Sequence, residues 1–274
     1  MIPIHPNLHE FKTVVDWRLA DAGDNLFFDL HYILTQLAFD CPFLADTMNA
    51  ELSMILKEPL QPSPTWRPAR VVPFEEKLWQ FEYGLMPTKT DFIHSHVGHA
   101  MIAVIGPEPL VVDRYRPSHD IDNDVFDPQV TLLLPKRKVY VPGSVCVVDA
   151  RKGLFDFLVE SPTFVMILSG RVRRAIQWVF SRHTLQAVHA VPSNSNDAHI
   201  AEMIGALTAM GSATSIATLY TLTTHSSHFI RWSALQALAR LNPEAAKASL
   251  QRATKDAHPH VRSASEKAIA AMAA

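Results

Sequence analysis

Two stretches near the C-terminus match each other at a spacing of 31 residues, and that repeat limits what this part of the chain can become. Ile230-Arg231 followed by Ala234, Ala237 and Leu238 matches Val261-Arg262 followed by Ser265, Ala268 and Ile269, and Leu219 matches Leu250 at the same offset. A fixed period with room for two helices per unit is the pattern of a helical solenoid, in which each unit buries its apolar face against its neighbours. About two and a half units are fewer than a solenoid needs to stand alone, so the tail is expected to pack on the rest of the chain or on a second copy, as a homo-oligomer.

The remaining sequence divides by texture. Leu26, Phe27, Leu30, Ile33, Leu34 and Leu37 recur at helical spacing, Asp46 opens a short helix, and Pro59, Pro62, Pro64 and Pro68 read as an extended linker. Beyond it, short apolar runs (Trp79–Tyr83, Met101–Ile105, Leu110–Tyr115, Val130–Leu134, Val145–Val148, Phe155–Val159, Phe164–Leu168, Val172–Phe180) are separated by Gly, Pro or Asp turns. Strands at this spacing with no helices between them predict a sandwich or small barrel. The polar loop Pro192–Asn196 then leads back to helices. The fold class is α+β and multidomain: residues 1–68 a helical segment with a Pro-rich linker, 69–190 a β-barrel, and 197–274 helical repeats.

Lys plus Arg number 25 against 27 Asp plus Glu, a net charge of -2, so no global field favours nucleic acid or an anionic membrane, and neither is expected as a partner. No apolar run approaches the roughly 18 residues of a membrane span, and the first ten residues lack the basic and apolar regions of a secretion signal, so a cytoplasmic location is expected. Cys41 and Cys146 read as buried reduced thiols.

Asp256, Val261, Arg262, Ala264, Ala268 and Ile269 follow the pattern of short HEAT-like repeats, which this tail resembles; the preceding unit has His225 where the pattern has Asp. The resemblance implies a helical scaffold for contact with a protein partner.

The chemistry concentrates in Asp91-Phe92-Ile93-His94-Ser95-His96-Val97-Gly98-His99. Two histidines one residue apart on a strand point to the same face and can reach one ion, with a third ligand from His99, if a bend brings it round to that face, or from His119. Gly84 ahead of His94 and His96, then Gly106, and the turn Val141-Pro142-Gly143-Ser144-Val145 resemble the two motifs of a cupin. That resemblance implies a double-stranded β-barrel holding a small molecule and a divalent metal (Fe, Zn, Ni or Cu), with dioxygenase-like chemistry if the ion is Fe(II). The second motif departs from the family, because Phe155 stands where it places a histidine. The alternative is a non-catalytic cupin serving as an interaction scaffold, and no catalytic residue is assigned.

Tyr83, Tyr115 and Tyr140 are candidate ligand-binding residues or aromatics packed on a sheet face, and Arg171 with Arg173 form either a fork suited to a carboxylate or phosphate or a solvated strand edge that discourages sheet-to-sheet pairing. Lys136-Arg137-Lys138 reads as a charged turn, and Cys146, between valines, as a packed thiol and not a nucleophile.

Overall fold

The structure, a computed structural model, describes residues 6–39, 42–57, 66–67, 70–121, 124–170, 174–211 and 213–273. Its contacts divide into two units: Met1–Asp120, Gln129–Arg173 and Val179–Ala187 form one, and Ile121–Pro128, Arg174–Trp178 and Val188–Ala274 the other.

The first unit opens with helices α1 (Pro6–Ala22), α2 (His31–Phe39) and α3 (Pro42–Lys57), with a 3-10 helix at Gly23–Leu30. Leu8, Phe11, Val15 and Leu19 recur every three or four residues, so they share one face of α1, and all four are buried. Helix α3 begins at Pro42, ahead of Asp46, because a proline's fixed φ and missing N–H suit a first helical turn.

Among the described residues twelve strands follow: β1 (Trp66–Arg67), β2 (Arg70–Glu75), β3 (Trp79–Leu85), β4 (Phe92–His94), β5 (Ala100–Pro107), β6 (Leu110–Tyr115), β7 (Lys136–Tyr140), β8 (Val145–Val148), β9 (Leu154–Leu158), β10 (Thr163–Gly170), β11 (Ile176–Ser181) and β12 (Ala187–Pro192). They form a six-stranded sheet, β1-β2-β3-β10-β5-β8, and two three-stranded sheets, β12-β11-β4 and β7-β6-β9. The central region is thus antiparallel sheet as expected, but the described strands make three separate sheets and no closed ring. Two local readings change. Val130–Leu134 makes only isolated bridges, Pro117 to Leu132 and Thr131 to Gln186. Lys136–Tyr140 is a strand paired along β6 where a turn was expected, since an edge strand tolerates charge on both faces.

The six-stranded sheet is buried on both faces, and side-chain alternation sorts its residues. Phe81, Tyr83, Met101, Ala103, Met166 and Leu168 pack with the apolar faces of α1 and α2. Ile102, Val104, Cys146, Val165 and Ile167 point the other way and pack with Leu110, Val112 and Phe155 of the β7-β6-β9 sheet. Each fully buried Leu, Val or Phe contributes about 1.5–3 kcal/mol.

The second unit carries α4 (Ser195–Met210), α5 (Ile216–Leu222), α6 (His228–Leu241), α7 (Pro243–Ala253) and α8 (Pro259–Ala273). The 31-residue period is visible in its core, where Leu219 and Leu250, then Ile230 and Val261, are buried in matching positions. It recurs in the polar contacts. Arg231 Nη1 donates to the carbonyls of His225 and Ser226, and Arg262 Nη1, one period on, to those of Asp256 and Ala257. His225 Nδ1 accepts from the Ser227 N–H as Asp256 Oδ1 accepts from the His258 N–H, so an imidazole nitrogen replaces the carboxylate as acceptor. No helix among the described residues is long and apolar enough to cross a membrane.

Candidate functional site

Strand β4 ends at His94, so the two-residue alternation that would align His94 with His96 stops there. His94 is exposed, on the face opposite buried Ile93. His96 lies in the following loop, with Nε2 2.8 Å from the Phe155 carbonyl oxygen and its ring 5.8 Å from those of Phe155 and Phe157. His99, only 2% exposed, lies instead beside Phe27 and Phe28, at 6.1 and 4.8 Å between centroids. Its Nδ1 accepts from the Ala150 N–H at 3.2 Å and lies 3.3 Å from Asp149 Oδ1, while Nε2 is buried with no hydrogen-bond partner.

Burial pushes the His99 imidazole below its usual pKa against the pull of Asp149, with Arg151 and Lys152 adding to the effect, and the ring is neutral. Burial would raise the Asp149 carboxyl, but hydrogen bonds from the Arg151 side chain and backbone, with the charges of Arg151 and His99, hold it at about 2.

The tyrosines separate as well. Tyr83 packs between Phe81 and Phe164 in the helix-facing core. Tyr115 faces Asp113 and Asp156, and burial, then those two carboxylates, raises its hydroxyl pKa. Tyr140 pairs with Leu110 and therefore faces the six-stranded sheet. Arg171 and Arg173 lie outside the described residues.

His96 and Tyr140 thus converge on one surface, the inner face of the β7-β6-β9 sheet. Directly opposed residues share a face, so Arg114 opposite Lys136 and Phe155, and Val112 opposite Lys138 and Phe157, place Arg114, Lys136 and Lys138 there too. Arg114 lies over the Phe155 ring at 5.7 Å, and Lys138 Nζ is 4.4 Å from the Tyr140 ring centroid. The inner-face residues of these three strands include no carboxylate. Asp113 and Asp156 project to the opposite face, where Arg137 holds Asp113 through two bonds of 2.8 Å and Arg182 pairs with Asp156.

Gly153 helps to set Arg114. Its φ is +142°, and a Cβ there would lie 2.4 Å from the Tyr115 carbonyl oxygen, so only glycine lets the β8–β9 turn come this close. The turn brings the Lys152 carbonyl to Arg114 Nη2 at 2.8 Å, while Arg114 Nε is buried with no acceptor. Cys146, on β8 of the six-stranded sheet, packs in the cluster that Tyr140 borders; burial pushes its thiol up to about 11, and this inert form is the one expected from sequence. Burial raises the Tyr140 hydroxyl in turn.

Among the described residues, His228, His258 and His260 alone form a group of three or more His, Cys, Asp or Glu whose ligand atoms come within 4.8 Å of one another. Neither this cluster nor the Arg114 surface is singled out in the sequence. The first is signalled by His258-Pro259-His260 standing about one repeat period beyond His228. The second would have followed from reading Lys136–Tyr140 as a strand.

Among solved structures, the chain is similar to a cupin-2 domain containing protein from Shewanella frigidimarina, at 11% identity over 45% of this chain and 92% of that one, with a TM-score of 0.27. It is also similar to hydroquinone 1,2-dioxygenase from Sphingomonas sp. TTNP3, solved with 4-hydroxybenzoate bound, at 13% identity over 40% and 69% and a TM-score of 0.29. A protein from Neisseria meningitidis gives 10% identity over 42% and 96% and a TM-score of 0.26. No curated protein matches the sequence. Residues 184–270 match the family model of HEAT repeats, and the C-terminal helical run is of HEAT-repeat type.

Proposed function

We propose that this chain is a binding protein whose sheet unit takes a small anionic molecule, a carboxylate or phosphate, on the inner face of the β7-β6-β9 sheet. One observation carries the reading: Arg114, Lys136 and Lys138 share that face with His96 and Tyr140, while both carboxylates of the same strands are turned away and neutralised by Arg137 and Arg182. A guanidinium held over an aromatic ring with one N–H lacking an acceptor favours an incoming oxyanion.

The dioxygenase reading needs an Fe(II) held by His94 and His96 together with His99 or His119. The residues present do not fit that ion, because His94 is exposed, His96 bonds a backbone carbonyl, and His99 packs among the phenylalanines beside the N-terminal helices.

The test is calorimetric titration of the intact protein with inorganic phosphate and with succinate, in wild type, Arg114→Gln, Lys138→Gln and the exposed control Lys255→Gln in the other unit. Saturable binding of one anion, weakened at least about tenfold by the first two changes and untouched by the third, supports the reading, since a charge-assisted bond is worth roughly 1.5–3 kcal/mol. Lack of saturation at millimolar anion, or an equal loss in the control, overturns it.

The HEAT-repeat match favours a second reading, in which the sheet unit is a scaffold and the repeats contact protein, a second copy of the chain among the partners. Sedimentation velocity of the intact chain tests the self-association: a concentration-independent monomer removes it.

A further inference from the structure

The second unit holds a cluster that neither reading uses. His228 opens α6, His258 immediately precedes α8, and His260 lies in the first turn of α8. The rings of His228 and His258 are stacked, with centroids 3.6 Å apart and planes within 4°, and His260 meets His258 edge-on at 5.1 Å. The segment Ile121–Pro128 of the same unit adds Asp124, whose Oδ1 is 3.1 Å from His228 Nδ1 and Oδ2 3.4 Å from His258 Nε2. Imidazole nitrogens ligate in the plane of the ring, so for the stacked His228 and His258 to share one ion at least one ring must turn out of the stack.

From this geometry we infer that His228, His258, His260 and Asp124 form a binding site for one divalent cation of the zinc class. Three imidazole nitrogens and one carboxylate oxygen are a borderline-soft, four-donor set suited to tetrahedral Zn(II), whereas Mg(II) and Ca(II) take all-oxygen shells. With bonds of about 2.0–2.1 Å, a tetrahedral ion needs its donors about 3.4 Å apart. The nitrogens already lie within 4.8 Å of one another, so side-chain rotation covers the remaining distance.

His258 Nδ1 lies 3.3 Å from the His260 N–H, which places the ring proton on Nε2, toward the Asp124 carbonyl oxygen at 3.2 Å. Ligation through Nε2 moves that proton to Nδ1 and gives up the long bond from His260. The bound ion ties the Ile121–Pro128 segment to the N-terminal ends of α6 and α8.

The experiment titrates the intact, chelator-treated protein with Zn(II) by calorimetry and with Co(II) by visible absorption, in wild type, His260→Ala and Asp124→Asn. Asp124→Asn keeps the side chain's shape, and circular dichroism checks the fold of each variant. The expected result is one ion per chain, an intense four-coordinate Co(II) band, a melting temperature raised by zinc, and affinity reduced at least about tenfold in both variants. The inference is overturned if wild type binds no stoichiometric zinc, or if zinc binding and the Co(II) band survive unchanged in folded Asp124→Asn and His260→Ala. Should His260→Ala fail to fold, the Asp124→Asn result decides.

Discussion

Asp113 and Asp156 stand directly opposite each other on β6 and β9, two buried carboxylates side by side on one face of a sheet. Like charges placed across strands repel, and the arrangement persists because each has its own guanidinium, Arg137 for Asp113 and Arg182 for Asp156. Arg182 also donates from Nε to the Thr90 carbonyl at 2.6 Å, linking this face to the approach to β4.

Removing Arg182 leaves two neighbouring buried carboxylates with one cation. Arg182→Met is expected to cost about 3–5 kcal/mol, the usual penalty for breaking a buried pair from one side. Adding Asp156→Asn removes the stranded charge and recovers part of the loss, which a double-mutant cycle in urea reads directly. Additive losses from the two substitutions would show that Arg182 acts through packing alone.

In the helical unit, Arg231 grips Asp256 of the next repeat with two bonds of 2.8 and 2.6 Å, and both side chains are largely buried. Burial would raise the Asp256 carboxyl, but hydrogen bonds from Arg231 and the His258 N–H lower it. Because its folded pKa is depressed, Asp256 contributes stability above the ordinary carboxylate value of 3.8, and that contribution is lost as the pH falls below it. Asp256→Asn is expected to lower stability by about 2–4 kcal/mol at pH 7 and by much less at pH 3, measured by denaturant midpoints at both values.

His99 gives a separate pH window. Its pKa is lowered in the folded state, so its stabilisation is complete above the ordinary imidazole value of 6.5 and declines as the pH drops below it, because unfolding lets the ring take a proton. Asp149, held at about 2 from 3.8, keeps its contribution until the pH falls from near 4 toward 2. His99→Phe fills the space beside Phe27 and Phe28 without a titrating group, at about 1–3 kcal/mol for the lost Ala150 N–H acceptor. The gap in melting temperature between wild type and this variant is expected to shrink as the pH is lowered from 7 to 5. A gap that stays constant over that range would assign the titration to other histidines.

Local patterns carried the repeat, and the structure shows why. Burial at Leu219, Leu250, Ile230 and Val261 follows the spacing, and even the departure at His225 has its counterpart in the sequence. The Arg231–Asp256 clasp spans 25 residues, and the position that would clasp residue 225 is Ile200, which needs no carboxylate. Strand spacing likewise announced antiparallel sheets, because alternation and turn residues are local properties of the chain.

What the sequence could not decide was which faces meet. Spacing placed His94, His96 and His99 in one short segment, but the end of β4 at His94 sends three imidazoles to three environments. Reading Lys136–Lys138 as a turn concealed a strand whose register puts two lysines beside Arg114. The cluster of His228, His258 and His260 with Asp124 joins residues more than a hundred positions apart. Residue identity determined the available donors and charges, whereas strand register and helix stacking, fixed by long-range packing, decided which of them share a face.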